Sequence, residues 1–219
     1  MKKITLIEAT IDFLASDAAG DSKGTYHPEI VKVHLNNAFN NIIYNTWLNG
    51  KQFSDFSQLD AWSKTYVVTV VDQIGAKAHG LLPFAPVQLP NGMGIRQVSD
   101  YADADNVLAP IEVTANVVFI ELDVNTMDST PTYRLEQNNL STGAGEKSHL
   151  LRFEKLPLDD PIISVDVMMI VPLEQMDDYD DIAMPQGAED DLMRQVLELI
   201  SQKPKSDTAN DMVNQNPIQ

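Results

Sequence analysis

Apolar residues first fall at helical spacing near the start of the chain. Ile7, Ile11, Leu14 and Ala18 are four, three and four apart, which predicts a short amphipathic helix over about residues 6–18. Thr5-Leu-Ile-Glu8 reads as a capping box at its start, hydroxyl and carboxylate each serving the other's backbone N–H. Gly20 and Gly24 frame a polar loop. A second pattern follows in Val31, Leu35, Ala38, Phe39, Ile42 and Ile43, with Trp47 beyond. Pro28 suits a first turn and Asn49-Gly50 a stop, so a helix is expected over about 28–48, roughly 30 Å long. Its other face holds Asn36, Asn37, Asn40, Asn41 and Asn45, although asparagine is a poor helix former. Such a face is either solvated or packed against neighbouring copies, where amides hydrogen-bond without bringing charge.

The periodicity then changes from 3.6 to 2. Residues 51–63 read as a loop with one helical turn. Thr65–Val71 is rich in β-branched residues and predicts a strand. The stretch Leu81–Ser99 is a hinge: Pro83, Pro86 and Pro90 each fix φ and remove a donor, excluding a helix or a central strand. It should run extended, turn at Asn91-Gly92 and again near Gly94, then alternate from Ile95 to Ser99 as a short strand. Asp103-Ala-Asp105 marks a polar turn. Glu112–Val124, Thr132–Gln137, Leu150–Leu156 and Ile162–Leu173 are further strand candidates, with Asn138–Lys147 a surface loop. In the last strand Ile163, Val165, Val167, Met169 and Val171 share one face. Glu174–Asp181 reads as a solvated acidic linker. Pro185 leads into a helix over about 187–202, with Leu192, Val196, Leu199 and Ile200 as its stripe and Lys203-Pro204 as its end.

The expected fold class is therefore α+β. A helical region spans 1–61, an antiparallel β-sandwich or barrel spans 62–173, and an acidic linker with a C-terminal helix spans 174–204. A flexible tail, without periodicity, spans 205–219.

Composition narrows the function classes. The chain has 219 residues, 43% of them apolar, enough for a core without metal or disulfide support. No run is long and apolar enough to cross a bilayer, and Glu8 and Asp12 break the start as a signal peptide. The absence of cysteine excludes thiol catalysis and thiolate metal sites. A net charge of -17 argues against a general basic surface for nucleic acid or anionic membrane.

Catalytic patterns are missing. There is no phosphate loop, and Gly92-Met-Gly94 and Gly143-Ala-Gly145 read as turns. His27 and His34 are seven apart with no acidic residue to complete a metal site; a helix-start residue and an exposed imidazole fit them better. The run 177–181 lacks the spacing and glycine of a calcium loop, and Asp159-Asp160 before Pro161 fits a turn better than a hydrolytic pair. No catalytic, cofactor-binding or metal-ligating residue is assigned. The alternatives carried are a hydrolase using Asp or Glu, with or without a divalent metal, and a monomeric ligand-binding β domain.

Several stretches carry a resemblance. They are Ile7-Glu-Ala-Thr-Ile-Asp-Phe-Leu14, Tyr26-His-Pro-Glu-Ile-Val31, Ala38-Phe-Asn-Asn-Ile-Ile-Tyr44, Lys64-Thr-Tyr-Val-Val68, Leu89-Pro-Asn-Gly-Met-Gly-Ile-Arg96 and Asp181-Ile-Ala-Met-Pro-Gln-Gly-Ala-Glu-Asp-Asp-Leu192. In this order the chain resembles the neck proteins of tailed bacteriophages, in particular those of crAss-like phages. It is similar in plan to head-to-tail adaptors, in which a helical part precedes a β-rich part. The resemblance implies a non-enzymatic virion protein without cofactor, assembled in the host cytoplasm. Copies would form a ring, a dodecamer, between portal and tail, with neighbouring ring proteins and portal as partners. DNA would pass through the lumen without specific binding, eased by acidic walls that repel phosphate. A tail or baseplate ring satisfies the same features. Leu192, Val196, Leu199 and Ile200 are the candidate partner-docking residues, in a helix-in-groove mode; the other role for that stripe is packing on the chain's own β unit.

Overall fold

The computed structural model describes residues 1–17, 26–71, 78–110, 131–137, 149–154 and 162–201. Helix α1 spans Lys3–Asp17, α2 spans Pro28–Phe53, and α3 is a single turn at Ser57–Asp60. Strands follow at Lys64–Val71 (β1), Ala78–Leu81 (β2), Ile95–Asp100 (β3), Ala109–Pro110 (β4), Thr132–Gln137 (β5), His149–Glu154 (β6) and Ser164–Met169 (β7). Helix α4, Ala188–Ser201, comes last. The expected strand at Glu112–Val124, the loop 138–147, Asp159-Asp160 and the tail 205–219 lie outside the described residues.

The sheet runs β3-β7-β1-β2-β6-β5-β4 and curls into a nearly closed barrel. Pairing is antiparallel throughout except between β4 and β5, which are parallel, so the sheet is mixed. Closure falls to one short segment. The Leu108 amide donates to the Val98 carbonyl at 2.8 Å, and one residue later the Ala109 amide donates to the Pro131 carbonyl at 3.0 Å. The segment thus ties β3, at one end of the sheet, to β5 near the other. Inward residues Val68, Val98, Leu151, Phe153, Val165, Val167 and Met169 fill the interior. The alternation expected from Ile95 is broken, because the register against β7 shifts between Ile95 and Gln97. Ile95 and Val98 are therefore both buried.

Helices α1, α2 and α4 pack on one another, and their buried side chains join those of the barrel in one contiguous core. Phe39 on α2 meets Trp62 edge-on at 5.5 Å, which ties the helices to the start of β1. In α1 the buried side chains are Leu6, Ile7, Thr10 and Leu14; Thr10 is admitted because its hydroxyl donates to the Leu6 carbonyl at 2.7 Å. In α2 they are Val31, Leu35, Ala38, Phe39, Ile43 and Trp47, with Ile42 half-buried, as its periodicity predicts.

Two local expectations are corrected. The capping box does not form, because α1 begins at Lys3 and Thr5 lies inside it; the first turn donates instead to a distant segment, Lys3 to the Asp180 carbonyl and Ile4 to that of Asp178. Asn49-Gly50 does not stop α2, which continues to a left-handed cap at Ser54. The Pro-rich hinge does turn at Asn91-Gly92, with φ of 59° and 68°, and again through Met93 and Gly94 as expected, and Gly94 is further needed for close approach, because a Cβ there would collide with the Val87 carbonyl.

The acidic segment is not a solvated linker. Leu173–Gln175 forms a 3-10 turn, Met176 is buried, and residues 178–182 lie across the start of α1. The Ile182 amide donates to the Met1 carbonyl at 2.8 Å, and Lys2 forms a β-bridge with Asp181. The carboxylate charge is visible in the sequence, but the docking rests also on the backbone carbonyls of Asp178 and Asp180, beside the Asp178 carboxylate that faces Lys3 and Lys32.

Candidate interaction surface

One face of α2 stands out because it is exposed yet uncharged. His27 caps the helix, its Nδ1 accepting from the Glu29 amide at 3.3 Å, and Pro28 occupies the first turn. Charges are confined to the ends: Glu29, Lys32 and Lys51. From residue 33 to residue 50 the helix has no Asp, Glu, Lys or Arg. Along that face Ile30, Val33, Asn37, Asn41, Tyr44 and Leu48 follow at spacings of three or four, and all are exposed. The stripe is roughly 27 Å long at 1.5 Å per residue. Tyr44 stacks on Trp47 at 5.7 Å, which holds the phenol in place on the surface.

Two open clefts border the hinge. The larger, about 400 Å³, lies between Asn40, Asn41 and Tyr44 of α2, residues 85–89, and Pro172 with Glu174 and Gln175. The Ala85 amide donates to Gln175 Oε1 at 2.7 Å, which fixes one wall against the other. Glu174 is its one carboxylate. The smaller, about 270 Å³, lies across residues 86–89 from Leu135 and His149. His149 is buried and its Nδ1 has no partner among the described residues. Neither cleft brings two carboxylates, or a nucleophile and a base, together. Among the described residues no group of three His, Asp or Glu side chains could hold a metal ion, and no helix is long and apolar enough to cross a membrane.

Perturbed groups lie apart from these clefts. Burial pushes the Tyr133 phenol up to about 12, opposed by the positive charge of Arg96. Burial also raises the Tyr66 phenol, helped by Asp180. The Asp55 carboxyl is held down by the backbone N–H of Ser57, at 2.9 Å. These are structural contacts at a barrel wall and a turn.

The candidate docking residues on α4 have two different fates. Leu192 and Val196 are fully buried against α1 and α2 within this same chain, so the partner of the stripe is the helical layer, not the β unit. Leu199 and Ile200 are half-buried at the edge of that contact. His34 is half-buried, its Nδ1 without a partner among the described residues, which corrects the expectation of an exposed imidazole. The sequence offers part of the exposed α2 stripe, Asn37 and Asn41, as a face that is either solvated or packed against neighbouring copies. The apolar residues interleaved with them emerge only when burial separates the two faces.

Comparison of the chain with family models, curated proteins and solved structures finds no match in any of the three.

Proposed function

We propose that this chain is a structural virion protein of a tailed bacteriophage, forming a homo-oligomeric ring in the neck between portal and tail and surrounding the DNA channel. The observation that carries the reading is the charge-free, exposed face of α2 on a chain of net charge -17. Copies so acidic repel one another, and burying unpaired carboxylates between them is costly. A face that offers apolar side chains and short amides is where such copies can meet. The resemblance to phage neck proteins supplies the setting, and acidity elsewhere suits a channel past which a phosphate backbone must slide.

Native mass, measured on the purified chain alone and with a candidate portal protein, tests the reading. A closed ring in either condition is the expected result. A strict monomer in both overturns it, and a rise in melting temperature on adding a divalent metal would then favour the hydrolase.

A further inference from the structure

A closed ring needs two different faces per subunit, because head-to-tail contact joins one patch to another. The second face is visible on the barrel. Strand β1 alternates cleanly, with Val68 buried and Thr65, Val67, Thr69 and Val71 exposed on the outer wall. Ile163, 72% exposed, lies beside its far end, its carbonyl accepting from the Val70 amide. β7 pairs with β1 along Lys64–Thr69, and β2 pairs with it at Val70 and Val71, so these side chains stand on the outer face of the sheet. Thr65–Val71 is uncharged, and the exposed side chains are all β-branched.

We infer that the α2 stripe of one copy seats on the outer wall of β1 in the next copy, making the ring contact heterologous; this rests on the ring reading above. Charge supports the pairing. Lys51 ends the α2 stripe, held over the Trp47 ring at 5.5 Å, and Asp166 stands directly across from Val67 on the β1 wall. Neither has an ion-pair partner among the described residues. With Leu48 over Val67, Lys51 comes to Asp166. Two α2 stripes packed face to face about a two-fold would bring Lys51 toward Glu29 at the far end of the other helix, but would close a dimer instead of a ring.

The natural absence of cysteine makes the test direct. Leu48→Cys, Val67→Cys and the double variant are treated with a short bismaleimide and run on denaturing gels, with native mass measured on the untreated chain. All three must first melt like the parent. A ladder of trimers and higher species from the double variant, with both single variants staying monomeric, is the expected result. Dimers from Leu48→Cys alone would overturn the inference in favour of a two-fold contact. No cross-linking in a chain whose native mass is a ring would overturn the pairing and leave the ring standing. A monomeric native mass, both alone and with the candidate portal protein, would overturn both.

Discussion

The Lys32 ammonium lies 3.1 Å from the Asp178 carboxylate, which joins the second turn of α2 to the acidic segment after the barrel. Lys3 approaches the same carboxylate at 3.8 Å and donates to the Met176 carbonyl at 2.6 Å. Two lysines from different helices therefore hold one strap across the start of α1. Its amides are satisfied there by carbonyls far away in sequence, not by a local cap.

Asp178→Asn should loosen that strap without unfolding the chain. The expected result is faster hydrogen exchange at the amides of Lys3 and Ile4 and a small, salt-sensitive fall in melting temperature. The pH dependence has a definite sign. The Asp178 hydrogen bond is the main cause raising Lys32 above its usual 10.5, opposed by partial desolvation. A raised lysine contributes fully below its unfolded value and loses the contribution as pH rises through the folded one. The difference between parent and variant should thus be flat from neutral to mildly alkaline pH and shrink only above about 10.5.

Gly50→Ala should destabilise, against the rule for helices. Alanine in place of glycine inside a helix ordinarily gains about 1 kcal/mol. Here a Cβ would lie 2.6 Å from Phe56 Cδ1 and 2.7 Å from the Asp55 carbonyl oxygen, where the chain doubles back after α2. Overpacking of this kind costs about 1–3 kcal/mol, and the backbone oxygen cannot swing away. A urea melt decides it: a stabilised variant would show that the turn after Ser54 moves.

Leu192→Ala should cost about 2–5 kcal/mol, as for any large aliphatic side chain removed from a closed core. Leu199→Ala, at the half-buried edge of the same contact, should cost about 1 kcal/mol. If Leu192→Ala left the urea midpoint unmoved, α4 would not be docked on α1 and α2 in solution and would be available to a partner.

What could be read from the sequence follows the strength of each local signal. The core face of α2 was legible because six apolar residues keep a helical period. The stripe of α1 was blurred by Thr10, which looks polar but satisfies its own hydroxyl on Leu6. β2 was missed because Ala78-His-Gly-Leu81 has no β-branched residue. Gly80 is there for space, since a Cβ would lie 2.6 Å from Val68 Cγ1. The strap was misread as solvated because its acidic side chains are conspicuous and its docking carbonyls are not. The stripe on α4 was legible as a stripe, but periodicity cannot say whether a helix's apolar face meets its own chain or another. The candidate surface on α2 has the weakest signal, for it mixes Ile30, Val33, Tyr44 and Leu48 with asparagines, and only burial shows which of them face outward.

Tyr133 gives the barrel its own alkaline limit. Burial raises its phenol to about 12 in the folded chain, against about 10 when unfolded. Between these values the unfolded chain has released the proton and the folded chain has not, so stability falls as pH rises. The loss is on the order of 2–3 kcal/mol by the top of that window. Phenolate absorbance should show a late step at about 12 from Tyr133, beside the also raised Tyr66, and Tyr133→Phe should remove that step and flatten the stability profile. An unchanged titration would place the late group elsewhere.

The two faces of α2 predict opposite behaviour for similar charges placed five residues apart. Ile43 is fully buried, and Ile43→Asp puts an unpaired carboxylate into the core, which should cost several kcal/mol and melt or unfold the monomer. Leu48 is 41% exposed on the uncharged stripe, so Leu48→Glu should hold the monomer's stability within about 0.5 kcal/mol. It would, however, put a like charge into the contact between acidic copies, once per interface around the ring. The expected pair of results is a normal melting curve with loss of the assembled species by native mass. A ring that persists with Leu48→Glu would mean that the copies meet elsewhere. A collapse in thermal stability like that of Ile43→Asp would mean that the stripe already has a partner within its own chain.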